Sequence, residues 1–377
     1  MLFKDIIGQE KLKQQLRLSV QEGRIPHAQL FTGPVGAGKL PLALAYAQYL
    51  NCQHRTDEDS CGVCPTCQQF ARLEHPDLHF VFPIYKPEGR KEPPVCDDFI
   101  EDFRQQILTQ PYFDTEDWNA TLGLENKQSV IYEKESSEIL RKLSLKPFGE
   151  GSKVMIIWQA EKMNSTCANK LLKILEEPPS QTVFILITEQ PDMLLSTIIS
   201  RCQQIRVPKL PNEVVAAAIG REDIARIANG NYVVARRLCE QQDENNAFHE
   251  DFVALMRNAW RVAHQQDYNA LQTLRKWSMA ISDSKVGREK QKAFLQYVQR
   301  QIRENFIANR HLPELNYQTK EEETFSVKFA PFIHMGNVEG ILAELDKAEV
   351  QIGQNGNAKI IFFDLCLQMI VLIKKTE

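Results

Sequence analysis

Through about residue 210, short runs of β-branched and aliphatic residues alternate with stretches in which apolar residues recur every three or four positions. The runs at 78–82, 154–158 and 182–188 are mostly apolar, and those at 29–32 and 204–207 are half apolar. That is the pattern of strands covered on both faces, so these segments predict a parallel sheet flanked by helices. After Pro208 the strand-like runs stop, and 248–264, 288–307 and 338–350 keep a helical spacing of apolar residues. The second half is therefore expected to be nearly all helix. Residues 83–134, between the second and third strands, carry prolines at 83, 87, 93, 94 and 111. This stretch is too long for an ordinary connection and reads as an insertion, with helix near 97–109.

Composition narrows the class. A chain of 377 residues with 43% apolar and 25% charged residues has a real core to bury and room for two or three domains. A net charge of -4 means that the chain as a whole is no electrostatic sleeve for nucleic acid. The opening Met1-Leu2-Phe3-Lys4-Asp5 lacks the layout of a signal peptide, and no apolar run approaches the ~20 residues that span a bilayer. A cytoplasmic protein with no membrane partner is expected. Nine cysteines, an odd number, then argue for metal ligation or buried thiols rather than a disulfide framework.

Gly33-Pro34-Val35-Gly36-Ala37-Gly38-Lys39-Leu40 follows a predicted strand and opens a helical pattern. In that context Gly33, Gly36 and Gly38 let successive backbone N–H groups turn toward phosphate oxygens, and Lys39 adds a point charge. The alternative is a glycine-rich strand-to-helix turn that binds nothing. The position after the lysine, where a hydroxyl would ligate magnesium, is Leu40. The strand 154–158 ends at Trp158 and Gln159, where a P-loop ATPase carries an aspartate for the metal and often a glutamate for water. All three departures fall on metal-assisted hydrolysis, so no catalytic magnesium is expected. Glu161 or Glu176 would serve instead if the strand register were different. Whether the P-loop holds ATP, ADP, a simple anion or nothing stays open at this level.

Cys52, Cys61, Cys64 and Cys67 place four thiols in sixteen positions, with Gly62 and Pro65 supplying tight turns between them. Four converging thiolates leave a tetrahedral zinc no open position, so a structural zinc in a loop spanning 52–67 is expected. An iron–sulfur cluster and unconnected thiols are the competing readings.

Several separated segments then agree on one family. Asp5-Ile6-Ile7-Gly8-Gln9, the His27-Ala28 pair, the four cysteines, Asn169 through Pro179 and Thr197-Ile198-Ile199-Ser200-Arg201-Cys202 together resemble the AAA+ subunits of the bacterial DNA polymerase III clamp loader. The chain looks more like the family's non-hydrolysing subunit than like its gamma and tau motors, which keep the residues lost here. The resemblance implies an AAA+ P-loop domain over 1–208, a helical lid over 209–244 and a helical collar over 245–377. It also implies one place in a ring of five, beside a delta subunit and three gamma/tau motors, within a polymerase holoenzyme that loads a sliding clamp on primed DNA. Arg201 matches the arginine finger, which would reach a neighbour's ATP; its plainer alternative is a surface ion pair. Thr188 matches the sensor 1 position, and Val233 stands where a sensor 2 arginine would be. Arg236 and Arg237 read as solvated helix residues. The rival reading is an active gamma/tau-like motor in which Lys39 serves a working site. No role is assigned to the insertion.

Overall fold

The computed structural model describes residues 1–375 except 91, 125–128, 150, 284 and 355. Five positions of the insertion, 91 and 125–128, thus lie outside the described residues. The remaining chain forms two compact units, 1–236 and 237–377, with the division falling inside the helix Tyr232–Glu240.

The first unit is built on a five-stranded parallel sheet: β1 Ala28–Thr32, β2 Leu78–Val81, β3 Lys153–Trp158, β4 Thr182–Thr188 and β5 Gln203–Arg206. The strand order is β2-β3-β4-β1-β5, every pairing being parallel. Every residue of β3 and β4 is buried, which is why their sequences are nearly continuous apolar runs. Register along β1 and β4 sets Thr32 opposite Thr188, so the strand before the glycine loop and β4 end together at one edge of the sheet.

Helix α1 spans Glu10–Gln21 and α2 spans Lys39–Asn51. Helix α2 is buried along its whole length, lying against α1, β3, β4 and the short helix α3, Pro65–Ala71. This total burial explains a sequence rich in Leu, Ala and Tyr with no polar face.

The insertion is folded into the same core. It contains α4 Ile100–Thr109 and α5 Thr115–Thr121, the latter started by Asp114, whose side chain accepts from the N–H groups of Glu116 and Asp117. Phe82 and Phe103 stack at 3.9 Å, Trp118 stands edge-on to both, and its indole N–H donates to the Pro83 carbonyl at 2.7 Å. Burying each such ring stabilises by roughly 1.5–3 kcal/mol, which holds a proline-rich stretch that lacks a regular sheet of its own.

Three helices, Asn212–Ile219, Glu222–Ala228 and Tyr232–Glu240, follow β5. In the second unit, long helices Gln242–Gln265, Arg288–Asn309, Val338–Gly353 and Ala358–Ile373 bury Phe252, Phe294, Leu345 and Phe362 in a separate core. No strand occurs there among the described residues, as the sequence pattern predicts.

Candidate functional site

The P-loop bends between β1 and α2 as its glycines require. Gly36 and Gly38 adopt φ of +74° and +85°, a region open to glycine at little steric cost. Each also has a close neighbour from a distant part of the chain. A Cβ built on Gly36 would lie 2.0 Å from Asn231 Oδ1, and one on Gly38 would lie 3.0 Å from the Tyr112 ring. At Gly33 it would meet the Val207 carbonyl oxygen at 2.1 Å.

Lys39 is 5% exposed and its ammonium donates to the carbonyl oxygens of Gly33 at 2.9 Å and Pro34 at 2.6 Å. Glu189, one residue past β4, lies 3.6 Å from it. Burial holds the Lys39 pKa down and pushes the Glu189 carboxyl up, while their mutual attraction works against both shifts. Thr188 is fully buried and its hydroxyl accepts from Gln190 N–H at 3.1 Å, turning the chain after the strand. Glu161 accepts from Glu189 N–H at 3.3 Å.

Trp158 and Gln159, at and just past the end of β3, are engaged by the insertion. Trp158 packs against Phe113 at 4.9 Å and Phe103 at 5.8 Å, and Gln159 Nε2 donates to Thr115 Oγ1. Tyr112 lies over Gly38, stands edge-on to Tyr232 at 4.9 Å and accepts from Ile7 N–H at 2.8 Å. Burial pushes its phenol up to about 12. The space left among Lys39, Leu40, Tyr112, Trp158, Glu189 and Val233 is about 20 Å³, enough for about one water.

Two arginines singled out in the sequence have partners within the chain. Arg236, read as solvated, is 16% exposed and pairs with Asp117 of the insertion at 2.9 Å. Arg201, at the end of the short helix Ser196–Ile199, donates to Glu176 Oε1 at 2.8 Å and to the Thr197 carbonyl at 2.8 Å. Tyr112, Phe113, Asp117, Asn231 and Tyr232 escaped sequence reasoning. Only the Pro-Tyr-Phe-Asp run after α4 hints at a turn there, and nothing local says what it faces.

The four cysteines do converge. Their Sγ atoms all lie within 4.8 Å of one another, with Cys61 and Cys67 at 3.9 Å. Tetrahedral zinc at ~2.3 Å from each sulfur needs S···S separations of about 3.8 Å, so the donor set fits that ion. Cys61 N–H points at Cys52 Sγ, Cys64 N–H at Cys61 Sγ and Cys67 N–H at Cys64 Sγ, at 3.2, 3.4 and 3.4 Å. The N–H groups of Cys64 and Val63 hold Cys61 down at about 6, whereas burial pushes Cys52 and Cys67 up. The same loop anchors the start of the chain, because Asp59 accepts from the N–H groups of Phe3 and Lys4 at 3.1 and 3.0 Å.

A parallel sheet whose P-loop strand lies between β4 and β5, followed by a cluster of short helices, defines a P-loop protein of the AAA+ class. Residues 8–211 match the family described as DNA polymerase III, delta subunit, and the chain belongs to that family. It is 30% identical over 267 residues to DNA polymerase III subunit delta' of Bacillus subtilis, covering 70% of this chain and 67% of that one. To subunit delta' of Pseudomonas aeruginosa it is 33% identical, over 56% of this chain and 55% of that one. The tau subunit of Bacillus subtilis is 26% identical over 58% of this chain and 31% of its own length. This chain thus spans about two thirds or less of these curated relatives.

Proposed function

We propose that this chain is a clamp-loader subunit that does not turn over ATP and instead supplies Arg201 to a neighbouring motor. The observation that carries this reading is the state of Lys39. Its ammonium is buried, bonded to Gly33 and Pro34 and roofed by Tyr112, so the charge meant for a phosphate is satisfied within the chain. Leu40, Trp158 and Gln159 further deprive the site of hard-metal ligands and of a general base.

Arg201 lies at a helix end with 29% of its side chain exposed. A guanidinium there is suited to reaching across an interface, where it would offset charge developing on a neighbour's γ-phosphate. The partners in this reading are gamma/tau motors and a delta subunit in a heteropentamer, which acts on a sliding clamp and primed DNA. Residues 1–208 would be the base, 209–244 the lid and 245–377 the collar. Ile360, Leu367 and Val371 are exposed apolar positions on the last helix, Ala358–Ile373, consistent with a collar that assembles with other chains. Cys52, Cys61, Cys64 and Cys67 would hold a zinc that staples the loop after α2, with no open coordination position and hence no catalytic part.

The test is DNA-stimulated ATP hydrolysis by the reconstituted ring, with this chain as wild type or Arg201→Ala, and the isolated chain as control. Loss of ring turnover with normal assembly supports the reading. Hydrolysis by the isolated chain that is abolished by Lys39→Ala would instead establish a motor.

A further inference from the structure

The insertion remained without a role in the sequence, yet its residues 111–117 meet four separate parts of the first unit around the P-loop: the amino-terminal segment, the loop itself, the end of β3 and residues 232–236. Tyr112 touches the amino-terminal segment through Ile7 N–H, the P-loop at Gly38 and the following helices at Tyr232. Phe113 packs at a tilt against Trp158 at the end of β3, Thr115 accepts from Gln159, and Asp117 pairs with Arg236. Across the gap, Asn231 caps its own helix by accepting from Val233 and Val234 N–H groups, and Gly36 O accepts from Tyr232 N–H at 3.3 Å.

In a P-loop protein the phosphates of a nucleotide lie over the loop and the helix N-terminus. Here that volume is taken by Tyr112 and the start of the helix Tyr232–Glu240. We propose that residues 111–117 are an internal strut standing in for nucleotide, which locks the P-loop, the amino-terminal segment and residues 231–236 in one arrangement. This deepens the reading of a non-hydrolysing subunit by naming the device that closes the site. The chemistry favours permanence: an edge-on and a tilted aromatic contact, a buried phenol bonded to a backbone N–H and an ion pair with side chains 16% and 20% exposed all act on the same few residues. A ligand would have to displace all of them together, whereas an intramolecular strut pays no cost of association. The Trp158 and Gln159 substitutions then have a positive use, since each provides a surface for the strut where a motor keeps metal ligands.

The experiment is hydrogen exchange on the full chain, comparing wild type with Tyr112→Ala and Asp117→Asn, each with and without millimolar ADP. Tyr112→Ala is expected to speed exchange at 33–39 and 231–236 by about tenfold or more, with a smaller effect in Asp117→Asn and none in the helix Arg288–Asn309. Wild-type exchange at 33–39 should be indifferent to ADP. Unchanged exchange at 231–236 in both variants, or slowing of wild-type exchange by ADP, overturns the strut. Should Tyr112→Ala not fold, Asp117→Asn and Arg236→Gln decide, as both sit near the surface. Failure of the arginine-finger reading would show separately, as unaltered ring turnover with Arg201→Ala.

Discussion

Arg201 and Glu176, 25 residues apart, are joined side by side: the guanidinium meets Glu176 Oε1 through both Nε, at 2.8 Å, and Nη2. The arginine proposed to act on a neighbour is therefore held by its own chain. With side chains 29% and 48% exposed, the pair is an ordinary surface contact, worth ~0–1 kcal/mol, and it opens at little cost when a better anion arrives. Glu176→Gln should leave the isolated chain's melting temperature within about 3 °C of wild type. If Arg201 serves one of three motor sites as proposed, Arg201→Ala should lower ring turnover by at least about a third, since such a finger is worth ~10³–10⁵ in rate in GTPases. Equal turnover for wild-type and Arg201→Ala rings would reject a role in trans.

The thiol cluster predicts one zinc per chain by metal analysis. Cys67 is fully buried and central to the cluster, so Cys67→Ser should abolish stoichiometric zinc and loosen the anchored chain start at Phe3 and Lys4. Strong chelators should do the same. A metal-free chain of unchanged thermal stability would show that the four sulfurs are not a structural site.

Restoring a carboxylate to β3 should fail to make a motor. Trp158 is 3% exposed between Phe103 and Phe113. Trp158→Asp both empties that volume and buries a carboxyl, and is expected to cost about 3–5 kcal/mol. Lys39→Met removes two carbonyl bonds and the contact to Glu189, and should lower stability by roughly 1–3 kcal/mol while leaving ring turnover intact. Denaturant midpoints and ring assays check both; a gain of hydrolysis in Trp158→Asp contradicts the closed-site account.

Acid should destabilise the first unit through His79 on β2. Burial, with Lys142 second, lowers its pKa from 6.5 to about 4. Because the folded state resists the proton that the unfolded chain accepts, this contribution is present above about 6.5 and is lost as pH falls from there toward 4. His79→Gln should remove that part of the pH dependence, on the order of 1–2 kcal/mol between pH 7 and 5. Parallel slopes for wild type and variant would assign the acid sensitivity elsewhere.

Much of this protein is written locally. The strand-like runs matched the five strands to within a residue or so, most plainly at β3 and β4, where burial on both faces demands a nearly continuous apolar sequence. The glycine loop and the spacing of Cys52, Cys61, Cys64 and Cys67 carry their chemistry in a few adjacent residues. So do the absent metal ligands at Leu40, Trp158 and Gln159, which can be read because the motif fixes which atom should stand there. Tyr112 against Tyr232, Asp117 with Arg236 and Arg201 on Glu176 were not legible. These partners are 120, 119 and 25 residues apart and leave no periodicity in the chain. Sequence alone thus determined a P-loop with its catalytic ligands removed and a cluster of thiols. Only the tertiary structure decided what fills the space above Lys39, because that depends on aromatic rings brought together by burial, a force with no direction along the chain.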